Sequence, residues 1–202
     1  MEEYLDNICP ICGNERTLFG NRQAKDGIIC RNCAKKLSPW LSEEDIAEIT
    51  VEELKKHIAY REENLEKLDR FTETENTGAY EKLSFDKEHG WIIFSKRNNL
   101  KKENPDLIPV SAIGKSYRSV RRQAEGNGLV NVYYTVEVDS PYFKKVDFRV
   151  NPFPGIRKLS GEYNRALEET KAYDAFLQKI RQENPGEEEP LIRYEEYDYY
   201  DD

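Results

Sequence analysis

The sequence predicts an α+β protein: a small four-cysteine module, a charged helical connector, and a curved antiparallel sheet of about seven strands closed by one C-terminal helix. Three observations carry this. Four cysteines stand as two Cys-x2-Cys pairs, Cys9 with Cys12 and Cys30 with Cys33. Val130, Val132, Tyr134, Val136 and Val138 share one face at the strand period of two. Tyr163, Leu167, Tyr173, Phe176, Leu177 and Ile180 recur near the helical period. Many antiparallel strands followed by one amphipathic helix fit a sheet whose open part the helix covers.

The cysteine module occupies residues 1–41. Between the two pairs lie two short apolar pieces, Thr17-Leu18-Phe19 and Ile28-Ile29, with Gly20-Asn21 and Asp26-Gly27 flanking the segment that joins them. Both flanking pairs tolerate positive φ, so the stretch is expected to be a hairpin of two short strands on these apolar pieces. Ala34, Lys35, Lys36 and Leu37 favour helix after Cys33, and Pro39 ends it.

Residues 42–70 form the charged connector. Ser42 is a cap for a short helix over residues 43–49, and Thr50 with Glu53 forms a capping box. Val51, Leu54, Ile58, Leu65 and Leu68 mark one face, and Arg61 interrupts the seam. Such a face suits a helix docked on its own domain or, with sustained heptads, a dimerising coiled coil.

Residues 71–182 hold the sheet. Strands are expected over residues 71–77, around Leu83 and Phe85, over residues 91–94, at Leu107-Ile108, over residues 115–123, over residues 130–138 and over residues 146–150. Gly126-Asn127-Gly128 between two strand patterns is a hairpin signal. Ser160 opens the final helix, and Asn184-Pro185-Gly186 stops it.

The net charge of −8 belongs to the tail. Residues 183–202 carry nine acids and one base (Arg193), which leaves 30 acids and 30 bases in residues 1–182. Few aliphatics, many acids and four tyrosines make this tail an expected disordered segment. A neutral body lacks the strongly basic balance of a nucleic-acid binder. No run approaches the roughly 18–20 apolar residues of a membrane span. The first residues are acidic and lack the basic and apolar regions of a signal peptide. The expected location is therefore the cytoplasm, where thiols stay reduced and cysteines more often bind metal than pair.

Two residues between ligands let each cysteine pair wrap one ion, and a hairpin brings the pairs together. Four thiolates make a closed tetrahedral site, so the expected cofactor is one structural zinc ion on Cys9, Cys12, Cys30 and Cys33. Iron in a rubredoxin-like site, two disulfides and a redox pair are the competing readings. The cysteine-bearing stretch over residues 7–40, 34 residues long, falls below the roughly 40 residues that usually fold on an apolar core alone, and metal makes up the deficit. His57 and His89 lack metal-site spacing and are expected to be ordinary histidines.

At Cys9-Pro-Ile-Cys-Gly13, Leu18-Phe19-Gly20-Asn21-Arg22, Lys25-Asp26-Gly27 and Cys33-Ala-Lys-Lys-Leu-Ser38, the chain resembles the bacterial family named domain of unknown function 4428. That resemblance covers about the first 45 residues. It implies a zinc-binding role for the four cysteines and no established activity. The helix after the second pair makes the module similar to treble-clef fingers. In strand count and final helix, the remainder resembles pleckstrin-homology-like domains, which implies a scaffold for lipid headgroups, peptides or proteins.

No nucleophile elbow and no Walker lysine is present. The expected function is a non-enzymatic adaptor with a protein partner. One alternative is a peripheral membrane module, with Lys96, Arg97, Lys101, Lys102, Arg118, Arg121, Arg122, Lys144 and Lys145 facing anionic lipid. Another is a nucleic-acid-binding finger using Arg16, Arg22, Lys25, Arg31, Lys35 and Lys36. The oligomeric state stays open.

Overall fold

The computed structural model describes residues 7–79, 81–95, 100–123, 128–151 and 153–184. The chain divides into two compact units, Met1–Asp69 and Arg70–Asp202.

In the first unit, β1 (Arg22–Ala24) and β2 (Gly27–Ile29) pair antiparallel around the Lys25-Asp26 turn. Helices α1 (Arg31–Ala34), α2 (Glu43–Glu48) and α3 (Val51–Leu68) follow. The first strand therefore lies after Thr17-Leu18-Phe19 and not on it. Local bonds fold that piece into a loop instead. Thr17 Oγ1 donates to the Phe19 carbonyl (2.9 Å), Asn21 Nδ2 donates to the Thr17 carbonyl (2.6 Å), and Gly20 takes a left-handed φ of +83°.

Capping boxes open both longer helices. Ser42 pairs reciprocally with Asp45, and Thr50 with Glu53. The buried cluster of this unit joins Cys9, Cys30 and Cys33 with Ala24, Ile29, Leu37, Ile46, Val51, Leu54 and Ile58. Helix α3 thus contributes to the same interior as the cysteines. Its buried line runs through Leu54, His57, Arg61, Asn64 and Leu68 in alternating three- and four-residue steps. Leu65 falls at the edge of that line and is 39% exposed.

The second unit begins with β3 (Glu75–Thr77), β4 (Lys82–Asp86), β5 (Trp91–Ser95), α4 (Leu100–Glu103) and β6 (Ile108–Pro109). A 3-10 turn over Val110–Ala112 leads to β7 (Ile113–Arg122), β8 (Leu129–Val138), β9 (Lys145–Arg149), β10 (Ile156–Arg157) and α5 (Gly161–Glu183). Instead of one curved sheet of about seven strands, the described residues form two four-stranded antiparallel sheets. One runs β3-β4-β5-β6. In the other, β7 lies on one edge of β8, while β9 and β10 follow each other along the opposite edge. The ladder breaks after β6 because Pro109 has no N–H to donate and the chain then turns through the 3-10 segment.

Helix α5 packs on β3, β8 and β10 and so serves both sheets. Ser160 Oγ caps it by accepting from the Tyr163 N–H (3.2 Å). Its buried residues are Tyr163, Ala166, Thr170, Tyr173, Leu177 and Ile180, again in steps of three and four. Thr170 can be buried because its hydroxyl donates to the Leu167 carbonyl (2.7 Å). Leu167 and Phe176, expected on the stripe, flank it half-buried.

Tyr173 stacks on Tyr134 of β8 at 5.2 Å and meets Phe148 of β9 edge-on at 5.4 Å. Phe148 in turn packs on Phe94 of β5 at 5.7 Å, so one aromatic cluster ties helix and both sheets together. Tyr173 also donates to the Glu81 carbonyl (2.6 Å). Among the described residues, no helix is long and apolar enough to cross a membrane. The tail beyond residue 184, Lys96, Arg97 and the Gly126-Asn127 turn lie outside the described residues.

Candidate metal centre

Residues 7–16 form a knuckle that closes on itself. Cys9 N–H donates to the Asn14 carbonyl (2.8 Å), Gly13 N–H to the Cys9 carbonyl (2.9 Å), and Arg16 N–H to the Asn7 carbonyl (2.8 Å). Gly13, at φ +71°, makes the tight return without strain. The knuckle presents Cys9 and Cys12 on one side. Cys30, at the N-cap of α1, and Cys33, inside it, come from the other side, where β2 delivers them.

The four Sγ atoms lie within 4.8 Å of one another. Cys9 and Cys33 are 3.8 Å apart, and Cys12 and Cys30 are 3.7 Å apart. A tetrahedron of sulfurs about 2.3 Å from a central ion has an edge of about 3.8 Å. The cysteines therefore stand where a tetrahedral thiolate site requires them. Cys9, Cys30 and Cys33 are buried, and Cys12 is exposed.

The electrostatics favour a cation. Burial alone raises the Cys9 thiol. The amide groups of Cys30, Cys12 and Ile11 outweigh it and hold Cys9 below the ordinary thiol range. The Cys30 N–H reaches the Cys9 sulfur at 3.3 Å. Cys33 is pushed strongly up by burial, by hydrogen bonds with the other three cysteines and by the charge on Cys9. Thiols this close cannot all lose their protons without a cation among them, so the cluster suits a positive ion.

Neither histidine joins the cluster. His57 is buried and accepts from the Ser38 N–H at Nε2 (3.0 Å). His89 Nδ1 pairs with Asp86 Oδ2 at 2.8 Å, and its ring stacks on Trp91 at 4.4 Å. Among the described residues, the four cysteines are the one group of His, Cys, Asp and Glu arranged to hold a metal.

Two residues outside the ligand set shape the module, and the sequence marked neither role. Asp26 Oδ1 accepts from the Val51 N–H at 2.7 Å, and the neighbouring Lys25 N–H donates to the Ile49 carbonyl at 2.9 Å. The hairpin turn is thereby fastened to the junction of α2 and α3. His57 does the same for the segment after α1. The Asp-Gly pair signalled a turn, but its partner 25 residues away left no local trace.

A family model described as a domain of unknown function (DUF4428) matches residues 7–57. The match takes in the knuckle, the hairpin, α1, α2 and the start of α3, and its last residue is His57. No curated protein and no solved structure matches the chain.

The other basic sets are partly engaged. Arg121 makes a two-pronged contact with Asp147 (2.9 and 3.0 Å) and lies 4.0 Å from the Tyr133 ring centroid. Lys144 Nζ donates to the Ser140 carbonyl (2.8 Å). Glu137, Asp139, Lys144 and Lys145 together line an open groove of about 480 Å³. Within the first unit, Arg22 pairs with Glu43 (3.2 Å) and Lys36 with Glu62 (3.1 Å). Both signs share the strand groove, which makes it a poor dedicated anion site.

Proposed function

We infer that Cys9, Cys12, Cys30 and Cys33 hold one structural zinc ion, and that the chain is a non-enzymatic adaptor that binds a protein partner. The carrying observation is the sulfur geometry. All four positions around the ion would be filled by cysteine, with none left open for water or substrate. Bound zinc supplies cohesion to a small module and no chemistry on a substrate.

Its location in the cytoplasm follows from the same reading, since four reduced thiols are the state the site needs. For the second unit, two antiparallel sheets gathered under one C-terminal helix support the pleckstrin-homology-like reading. Such a unit would offer strand edges and loops to a partner.

The test begins with metal analysis of the purified chain, which should give one zinc per molecule. The intact chain and a Cys30→Ser/Cys33→Ser variant are then compared in an affinity capture from the native host. A metal-free chain with full amide dispersion in strong chelator would defeat the zinc assignment. A captured protein that binds both forms equally would take the zinc module out of the adaptor role.

A further inference from the structure

Two large apolar side chains stand out from the first unit with no place in its core. Leu18 is 92% exposed and Phe19 is 80% exposed. They are neighbours at the tip of the loop over residues 17–21. That loop is held in shape by the bonds from Thr17 and Asn21 described above. A Cβ on Gly20 would come within 3.0 Å of the Arg31 side-chain carbons, so the base of the loop rests on α1. The loop is therefore preorganised, and it leaves both apolar side chains open to solvent.

The cysteine segment is rich in bases along the sequence. Residues 7–42 carry six Lys and Arg against two acids, while residues 43–69 carry four against ten. Of these six, Arg22 and Lys36 pair with Glu43 and Glu62, which leaves Arg16 and Arg31 as the cations next to the loop. Arg16 immediately precedes the loop and Arg31 supports it, and neither forms a salt bridge among the described residues. Adjacent apolar side chains on a cationic rim match the boundary of a bilayer with anionic headgroups. Stacking on a nucleic-acid base would use Phe19 and leave the more exposed Leu18 without a role.

We propose that the loop over residues 17–21 is a membrane-contacting tip, which places Leu18 and Phe19 among the acyl chains of an anionic lipid surface while Arg16 and Arg31 meet the headgroups. The proposal goes beyond the adaptor reading and rests on the metal-held module, since Arg31 in α1 carries the loop. It also differs from a lipid face built on the strands of the second unit.

The experiment is co-sedimentation of the full-length chain with phosphatidylcholine vesicles and with mixed phosphatidylcholine–phosphatidylserine vesicles, zinc being measured on the same samples. The chain should sediment with the mixed vesicles, less so at higher salt. A Leu18→Ser/Phe19→Ser variant should lose binding by about tenfold or more while keeping its zinc, because both side chains lie outside the core. In a Phe19→Trp variant, emission should shift to the blue on the mixed vesicles.

No sedimentation of the zinc-loaded chain, equal binding by the serine variant, or a tryptophan shift with single-stranded oligonucleotide and none with vesicles would each overturn the membrane assignment. A chain that purifies without zinc overturns the metal reading instead, and vesicle binding is scored separately from it.

Discussion

Asp26, in the turn between β1 and β2, caps the long helix α3 by accepting a 2.7 Å hydrogen bond from the backbone N–H of Val51. The bond satisfies one of the donors that every helix leaves open at its start. Asp26→Ala should therefore destabilise the first unit by about 1–2 kcal/mol, read as a lower urea midpoint. Amide exchange at Val51 should quicken in the same variant. Asp26→Asn, which keeps an acceptor oxygen, should recover much of the loss.

Cysteine replacements should sort by what each sulfur receives. Cys9 is fully buried and takes amide donors from Cys30, Cys12 and Ile11, whereas Cys12 is exposed. Cys9→Ser should abolish metal binding and the amide dispersion of residues 7–57. Cys12→Ser should weaken binding while leaving a three-sulfur site that still takes up zinc at high concentration. Titration with a zinc-sensitive dye, followed by two-dimensional NMR, distinguishes the two.

Asp86 sets an acid limit for the second unit. Its carboxylate is fully buried and accepts from the N–H groups of Thr72 (2.9 Å), Glu88 (3.0 Å) and His89 (3.3 Å), besides its contact with the His89 ring. Burial raises its pKa, but the Thr72 amide, the His89 ring and amide and the His89 charge outweigh it and hold it below the ordinary 3.8. A depressed folded-state pKa contributes stability that is complete above 3.8 and is lost as pH falls through the folded value. Denaturant midpoints should therefore fall steeply below that pH. Asp86→Asn should be less stable at neutral pH and show a flatter acid limb.

Gly78 leaves no space for a side chain. Its φ is +91°, and an added Cβ would lie 2.2 Å from the Glu81 carbonyl oxygen and 2.6 Å from the Tyr173 hydroxyl. Gly78→Ala should cost on the order of 2–4 kcal/mol, from strain and from displacement of Tyr173 out of the aromatic cluster. Near-ultraviolet circular dichroism should show the ring movement.

Tyr134 donates to Asp174 at 2.5 Å, and Ser116 donates to the same oxygen at 2.8 Å. Burial and the Asp174 charge push the phenol far above its ordinary range, so it remains a donor at every working pH. Tyr134→Phe should cost about 1 kcal/mol, because Asp174 keeps Ser116 as a partner. A double-mutant cycle with Ser116→Ala should give a larger-than-additive loss.

Features written in short stretches were legible in the sequence. The Thr50–Glu53 capping box, the alternating valines of β8, the Ser160 cap of α5 and the sulfur pairs each follow from residues within a few positions. Thr17-Leu18-Phe19 forms a loop where a strand is expected, because three apolar or β-branched residues do not reveal whether anything covers them. Asp26, His57 and Glu81 take their roles from partners far along the chain. The division into two sheets depended on Pro109, whose missing donor matters only once β6 lies beside β5.

Pro109 has a further consequence. The sheet β3-β4-β5-β6 ends on one side in a two-residue strand containing proline, and on the other in a three-residue polar strand whose Glu75 is held by Lys179. Neither margin offers the long row of vacant amides and carbonyls on which identical molecules stack into fibres. Concentrated solutions of the chain should resist fibril formation at these borders. A substitution of Pro109 by a β-branched residue such as valine is where such protection would first be lost.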